Sequence, residues 1–344
     1  MNRFIQLHTL ISYPPANLNR DDQGRPKTAK MGGVERLRVS SQSLKRAWRT
    51  SDVFNEQLAE KIGVRTKLLG QEHVYKPMIA AGISEKNASD WASKIAAVYG
   101  AVKKDKPLEI EQLVHISQTE LLQLNQLVAV LIAEKRAATE EELATLLQAQ
   151  QAVDIAMFGR MLAGKTQYNG EAAVQVAHAL GVHASVIEDD YFTAVDDLNQ
   201  DDSGAAHIGE LGFASAVFYQ YICIDRELLK RNLAGNEALT QQSIKALIEA
   251  ALTVGPSGKQ NSFASRAYAH YALVEKGDRQ PRSLSLAFLN AVNGDSYATD
   301  ATQALVQVRD NMDKVYGPCA AERSEFNVIA GTGSLQELVR FSVE

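Results

Sequence analysis

The chain has 344 residues, 45% hydrophobic and 22% charged, which excludes a disordered, collagen-like or coiled-coil protein and suggests about two domains. No apolar run reaches the roughly 20 residues of a membrane-spanning helix, the longest being Leu127 to Ala133, and Gln6 and His8 interrupt any secretory leader. Net charge is −5, and two cysteines, Cys223 and Cys319, are too few for a disulfide scaffold, so a reducing cytoplasm is expected. Phe4 to Tyr13 reads as a strand from its β-branched and aromatic content. Residues 14–36 carry three prolines and three glycines and read as a long loop, of the kind that tends to be functional. Leu37 to Val39 adds a short strand. Ser40 or Ser41 then caps a helix running to about Thr50, with Leu44, Ala47 and Trp48 on one face and Lys45 and Arg49 on another.

Residues 51–150 change character. They are rich in Ala, Leu, Glu, Gln and Lys, and helical periodicity runs through Trp91 to Tyr99, Glu109 to Lys135 and Thr139 to Gln151. This reads as an inserted helical subdomain. Beyond it, Val153 to Phe158 is expected to be a strand. Glu171 to His183 has the composition of a helix and the alternation of a strand. Gly212 to Ile224 alternates as a strand, and Leu228 to Leu233 and Gln241 to Thr253 read as helices. Ser262 to Val274 suggests a strand, and Ala301 to Tyr316 and Leu335 to Phe341 suggest helices. The mixture fits an α+β domain with a ferredoxin-like or RNA-recognition-type sheet, interrupted by the helical block.

The charge is uneven. Residues 1–50 hold ten Lys and Arg against three acids, a segment charge of +7, which leaves −12 on the other 294 residues. So uneven a block is either a polyanion surface or a solvated basic face. Gly159 to Thr166 matches the phosphate-binding pattern G-x-x-x-x-G-K-[ST] in full. However, Lys165-Thr166 runs into a turn-like Gln167-Tyr168-Asn169-Gly170, and no strand ending in a magnesium-binding Asp follows. The acidic run Glu188, Asp189, Asp190, Asp196, Asp197, Asp201, Asp202 could hold a divalent cation for phosphodiester hydrolysis, or could keep a protruding hairpin soluble. No zinc spacing and no nucleophile motif stands out, so the chain reads as a binding or assembly protein without a cofactor.

A set of short segments then occurs in order: Phe4-Ile5, Leu10-Ile11-Ser12, Leu18-Asn19-Arg20-Asp21-Asp22, Gly32-Gly33, Arg38 to Ala47, Val153 to Ala156, Gly159-Arg160-Met161, Ala177-His178-Ala179, Phe192 to Leu198, Ala206 to Gly209 and Gly258-Lys259-Gln260. Together they resemble the CasC-type backbone subunit of the type I-E CRISPR Cascade complex. The helical block and the tail after about residue 275 match that pattern poorly. The resemblance implies a hand-like α+β subunit. A modified RRM or ferredoxin-like palm would comprise residues 1–50 and 151–344, a helical fingers insertion residues 51–150, and a thumb hairpin about residues 187–212. It favours strand over helix for Glu171 to His183 and makes the phosphate-loop match accidental.

The same resemblance implies a non-catalytic protein whose copies stack head to tail along the guide CRISPR RNA. Its other partners would be target DNA, reached through the guide, and the large, small, 5′-handle-binding and 3′-hairpin-binding Cascade subunits. A protein that holds any guide sequence must bind phosphate and sugar, not base edges. By motif, Asn19, Arg20, Lys27, Ser40, Gln42, Lys45, Arg46, Arg49, Arg160 and Lys259 would contact the RNA. Met161 and Phe192 would flank a displaced nucleotide, since any base offers a π-face. Lys103, Lys104, Lys106, Lys135 and Arg136 would touch incoming duplex. The alternatives are a metal-dependent nuclease using Glu188 to Asp202, a P-loop nucleotide-binding protein, and an RNA-binding protein that does not polymerise.

Overall fold

The computed structural model describes residues 2–147, 152–162, 166–194 and 207–344. In chain order the described strands are β1 (Phe4–Ala16), β2 (Thr28–Met31), β3 (Val34–Val39), β4 (Val64–Thr66), β5 (Val114–Ile116), β6 (Val174–Val176), β7 (Ala179–Gly181), β8 (Glu188–Ala194), β9 (His207–Asp225), β10 (Ala269–Gly277) and β11 (Glu322–Asn327). Nine of them form one sheet in the order β11-β10-β1-β9-β7-β3-β2, with β6 and β8 also pairing to β9, while β4 and β5 form a ribbon of their own. The protein is α+β. Along the chain β1, the helix Ser41–Arg49, β7, β9, the helix Glu237–Thr253 and β10 follow one another, and in the sheet the strands lie as β10-β1-β9-β7. That is the strand–helix–strand–strand–helix–strand arrangement of split β-α-β folds.

The chain divides into two compact units, residues 1–54, 175–224 and 244–344 in the first and residues 55–174 and 225–243 in the second. In the first unit β1 is buried along nearly its whole length, which requires cover on both of its faces. Leu10 packs with Tyr219, Tyr271, Leu284, Phe288 and Leu305, so the helix Tyr297–Tyr316 covers one of them. Gln6 of β1 is buried with partners. Gln6 Oε1 accepts from the Tyr221 hydroxyl at 2.9 Å and from the Arg282 N–H at 2.8 Å. Trp48, fully buried on the helix Ser41–Arg49, donates its indole N–H to the Val254 carbonyl at 3.2 Å.

In the second unit Leu69, Val74, Met78, Ile95, Leu124 and Leu131 form a core between helices Glu85–Tyr99, Gln118–Glu134 and the shorter segments beside them. Two buried polar pairs cross it. Asp154 accepts from the Gly63 N–H at 2.8 Å and lies 2.7 Å from His115 Nε2. Arg160 donates to both oxygens of Glu120 at 2.8 Å, and the same carboxylate closes a capping box with Ser117.

Several expectations are met: the helix Ser41–Arg49 with Ser40 as its cap, the helices within 85–99, 118–134 and 140–145, and β9 over Gly212 to Ile224. Glu171 to His183 holds two short strands, β6 and β7. Four expectations need correction. The helix expected over Glu109 to Lys135 starts only at Gln118, because Val114–Ile116 is strand β5. Val153–Phe158 is a helix, not a strand, because a short apolar run carries no periodicity that separates the two. The long loop contains the hairpin β2–β3, turned by Gly32 and Gly33 at φ +60° and +83°, the paired positive values a two-residue hairpin demands. The strand expected from Ser262 starts only at Ala269, and Gln260–Phe263 is a short helix.

Candidate nucleic-acid interface

The basic N-terminal segment folds into an ordered loop running onto a helix, and its own side chains hold it. Asp21 Oδ1 accepts from the backbone N–H groups of Gln23 and Arg25, both at 2.9 Å, in the manner of an Asx turn. Asn19 braces the helix start, its Oδ1 accepting from the Ser40 N–H at 2.9 Å and its carbonyl from the Lys27 N–H at 2.8 Å. Ser40 is the N-cap, its hydroxyl accepting from the Ser43 N–H at 3.3 Å. Asn19 and Ser40 therefore shape the surface through their structural bonds. Gln42 and Arg46 are exposed on the helix, and Lys45 and Arg49 are half-buried.

Arg20 and Arg46 line a cavity of about 480 Å³ with Asp21, Ser43, Gly24 and Gly258. Asp22 also lines it, so the cations do not stand alone. Gly258 has no room for a side chain, since a Cβ there would lie 2.3 Å from the Leu18 carbonyl oxygen. This close approach seats the second loop, with exposed Lys259, against the first. Lys259 itself is held at φ +49°. A polar cavity with arginines from two elements suits a phosphate-bearing chain better than an apolar ligand.

Two residues outside the expected contacts extend this surface. Arg38 Nη1 lies 2.8 Å from His178 Nδ1, and the Arg38 Nε donates to the Thr28 carbonyl at 3.3 Å. Because a guanidinium only donates, His178 must be unprotonated at Nδ1. Burial, then the charges of Arg38 and Lys27, hold its pKa below the usual histidine value. Lys27 and Arg38 thus stand as two cations beside an uncharged His178 where β3 pairs with β7. Both missed residues stand in quoted segments, but only the strand pairing brings them together.

The wedge residues differ from Arg160. Met161 is 74% exposed. Phe192 is 44% exposed and pairs across the hairpin with Gly209, where a Cβ would come within 2.3 Å of its ring. The ring lies over the glycine, which explains the glycine in Ala206 to Gly209. Arg160 is held differently. It is 7% exposed and bound to Glu120, with further bonds to the carbonyls of His115 and Tyr168, so its guanidinium is engaged within the protein. Within residues 51–150, Lys103 and Lys106 pair with Glu109, and Arg136 with Glu134 and Glu142, which lessens the free charge expected there. Asp196, Asp197, Asp201 and Asp202 lie outside the described residues, as does the phosphate-loop stretch 163–165. Asp189 pairs with Arg25 at 3.0 Å. Among the described residues no group of three or more His, Cys, Asp or Glu is placed to hold a metal ion.

Fold and surface define an α+β protein with a polar cavity lined by arginines and aspartates and, where β3 pairs with β7, two further cations, Lys27 and Arg38. The chain belongs to the CT1975-like protein family, whose model matches residues 5–342. It is similar in structure to a chain of a "CRISPR RNA-guided surveillance complex, pre-nicking", with a TM-score of 0.87 and 27% identity over 99% of both chains. A chain of a "CRISPR RNA-guided surveillance complex" matches with a TM-score of 0.65 and 25% identity, over 99% of this chain and 98% of that one. No curated protein matches the sequence.

Proposed function

We propose that this protein is a non-catalytic backbone subunit of a CRISPR Cascade complex, of the CasC type found in type I-E systems. Copies of it polymerise head to tail along the guide RNA and present the guide in segments for pairing with target DNA. The other Cascade subunits cap and flank this filament. The observation that carries the reading is the end-to-end likeness to a surveillance-complex chain at TM-score 0.87. The basic N-terminal surface supports it, since Arg20, Arg46, Lys27 and Arg38 offer guanidinium and ammonium donors and no base-reading pattern. The split β-α-β strand order is compatible with an RNA-recognition-type palm, and the β8–β9 hairpin with a thumb carrying Phe192.

Binding of a guide-length RNA across a salt series tests the reading. Affinity falls linearly on logarithmic axes, by about 0.7 in slope for each phosphate neutralised on a single strand. Lys45→Glu and Arg46→Glu flatten the slope and weaken binding, whatever the base sequence. The RNA stays intact with magnesium present. Affinity that follows base sequence more than salt, or RNA consumed in magnesium, contradicts the proposal, and the latter favours the nuclease reading.

A further inference from the structure

The root of the β8–β9 hairpin meets both basic loops in three chemically different contacts. Asn17, fully buried, donates from Nδ2 to the Gly24 carbonyl and to the Gly212 carbonyl, both at 2.9 Å. One amide therefore ties the first basic loop to strand β9. Arg25, from the same loop, pairs with Asp189 of β8 at 3.0 Å. Pro26 leaves no free space over Gly212, where a Cβ would lie 3.2 Å from its Cδ. From the second loop, Phe263 packs on Phe213 of β9 with ring centroids 5.9 Å apart. Phe263 stands on the four-residue helix whose flanking residues, Lys259 and Ala264, are both held at positive φ. Non-glycine residues pay for that backbone region, and such strain persists only where surrounding contacts fix it.

We infer that Asn17, Arg25, Asp189 and Phe263 form a latch that makes the hairpin and the two basic loops one rigid body, so that phosphate contacts in the loops set the direction of the hairpin. These are positioning residues. The inference rests on the proposed function for its consequence, because the hairpin carries Phe192, but the latch itself is a property of the chain without RNA. An ion pair about 40% exposed on each side is a weak tie alone. The buried fork of Asn17 is the firmer one, since its two carbonyl acceptors lose their partner if the amide is removed.

The test uses the full chain and the variants Arg25→Asp, Asp189→Arg and the double charge swap, at positions whose side chains are 41% and 40% exposed. The first readout is amide hydrogen exchange without RNA. Each single variant speeds exchange several-fold in both residues 20–27 and the hairpin root, and the swap restores it. Singles that loosen only the segment they alter, or a swap no better than the singles, overturn the latch. Asn17→Asp, which keeps the shape and removes both donors, gives the larger version of the same effect. The second readout is the pattern of nucleotides displaced from a bound guide. The singles blur this pattern and the swap sharpens it. A parent chain with coupled exchange but no displaced nucleotides supports the latch and contradicts the assembly reading.

Discussion

Arg160 shows how a single residue can change meaning between sequence and structure. Its place beside Met161 suggested a nucleic-acid contact, but Glu120, 40 residues upstream, takes its guanidinium in a buried pair. Nothing in a linear pattern joins those two positions. Removing one partner strands the other charge in the core, which costs about 3–5 kcal/mol. Arg160→Met and Glu120→Gln should each lower the urea midpoint, and the double variant should lose less than their sum. Arg160→Met with parental stability and weakened RNA binding would return Arg160 to the interface.

His8 supplies a second residue-scale expectation. The Tyr219 hydroxyl, which accepts from the Leu284 N–H at 2.9 Å, can donate to His8 Nδ1 at 2.9 Å, leaving Nε2 toward Glu275 at 3.3 Å. Burial, against the pull of Glu275, holds the His8 pKa below the usual value, and Arg282 and Arg323 lower it further. Burial alone would raise the Glu275 carboxyl, but His8 and Arg282 outweigh it and hold Glu275 well below the carboxylate range. The unfolded chain protonates this histidine near pH 6.5 while the folded chain does not, so stability falls as pH drops below about 6.5. The loss is at most about 1.4 kcal/mol per pH unit for each such histidine. The Glu275 contribution is lost at lower pH, below its ordinary value, with the same sign. Urea unfolding at about pH 7.5 and about pH 5.5 checks this. The parent should lose stability on acidification, and His8→Gln should lose less. Equal stability of the parent at both values would contradict the buried neutral state.

At the scale of elements, the strongest local signals were readable directly. The cap at Ser40, the apolar face of Leu44 and Trp48, and the alternation of β9 carried their own periodicity. The hairpin β2–β3 was also written in the chain as Gly32-Gly33, but its short strands hid among prolines and turn residues. The helix Val153–Phe158 was misread because six residues, five of them apolar, are too few to show a period. Its buried Asp154 makes sense only with Gly63 and His115 beside it. Helix ends give a direct test. The helix Arg226–Asn232 ends in a Schellman motif, with Gly235 N–H bonded to the Lys230 carbonyl at 2.8 Å and Ala234 N–H to the Arg231 carbonyl at 3.1 Å. Ala234 sits at φ +55°, where an L side chain costs about 1 kcal/mol or more. Ala234→Gly should therefore raise stability by about 1 kcal/mol, and a drop in the thermal midpoint would count against this geometry. Gly258→Ala should do the opposite, forcing the second basic loop off Leu18, and should weaken RNA binding as it destabilises.

For the whole molecule, the charge asymmetry was the most informative sequence feature. The +7 segment places Arg20 and Arg46 in one polar cavity together with Asp21 and Asp22, and Lys27 and Arg38 beside His178. Its convergence with Gly258 and His178 needed the three-dimensional fold, since those residues lie far apart in the chain. If copies stack as proposed, contacts between acidic residues of one copy and the basic N-terminal surface of the next should weaken as salt screens them over about 10 Å or less. Assembly indifferent to salt would contradict that electrostatic pairing. The central claim is most directly tested by purifying the protein from a host that co-expresses a CRISPR array and the candidate partner subunits, then sizing the particle and mapping its RNA by nuclease protection. The account predicts a large particle holding guide-length RNA, protected at regular intervals along its length. An RNA-free monomer, with every candidate partner supplied, would contradict it.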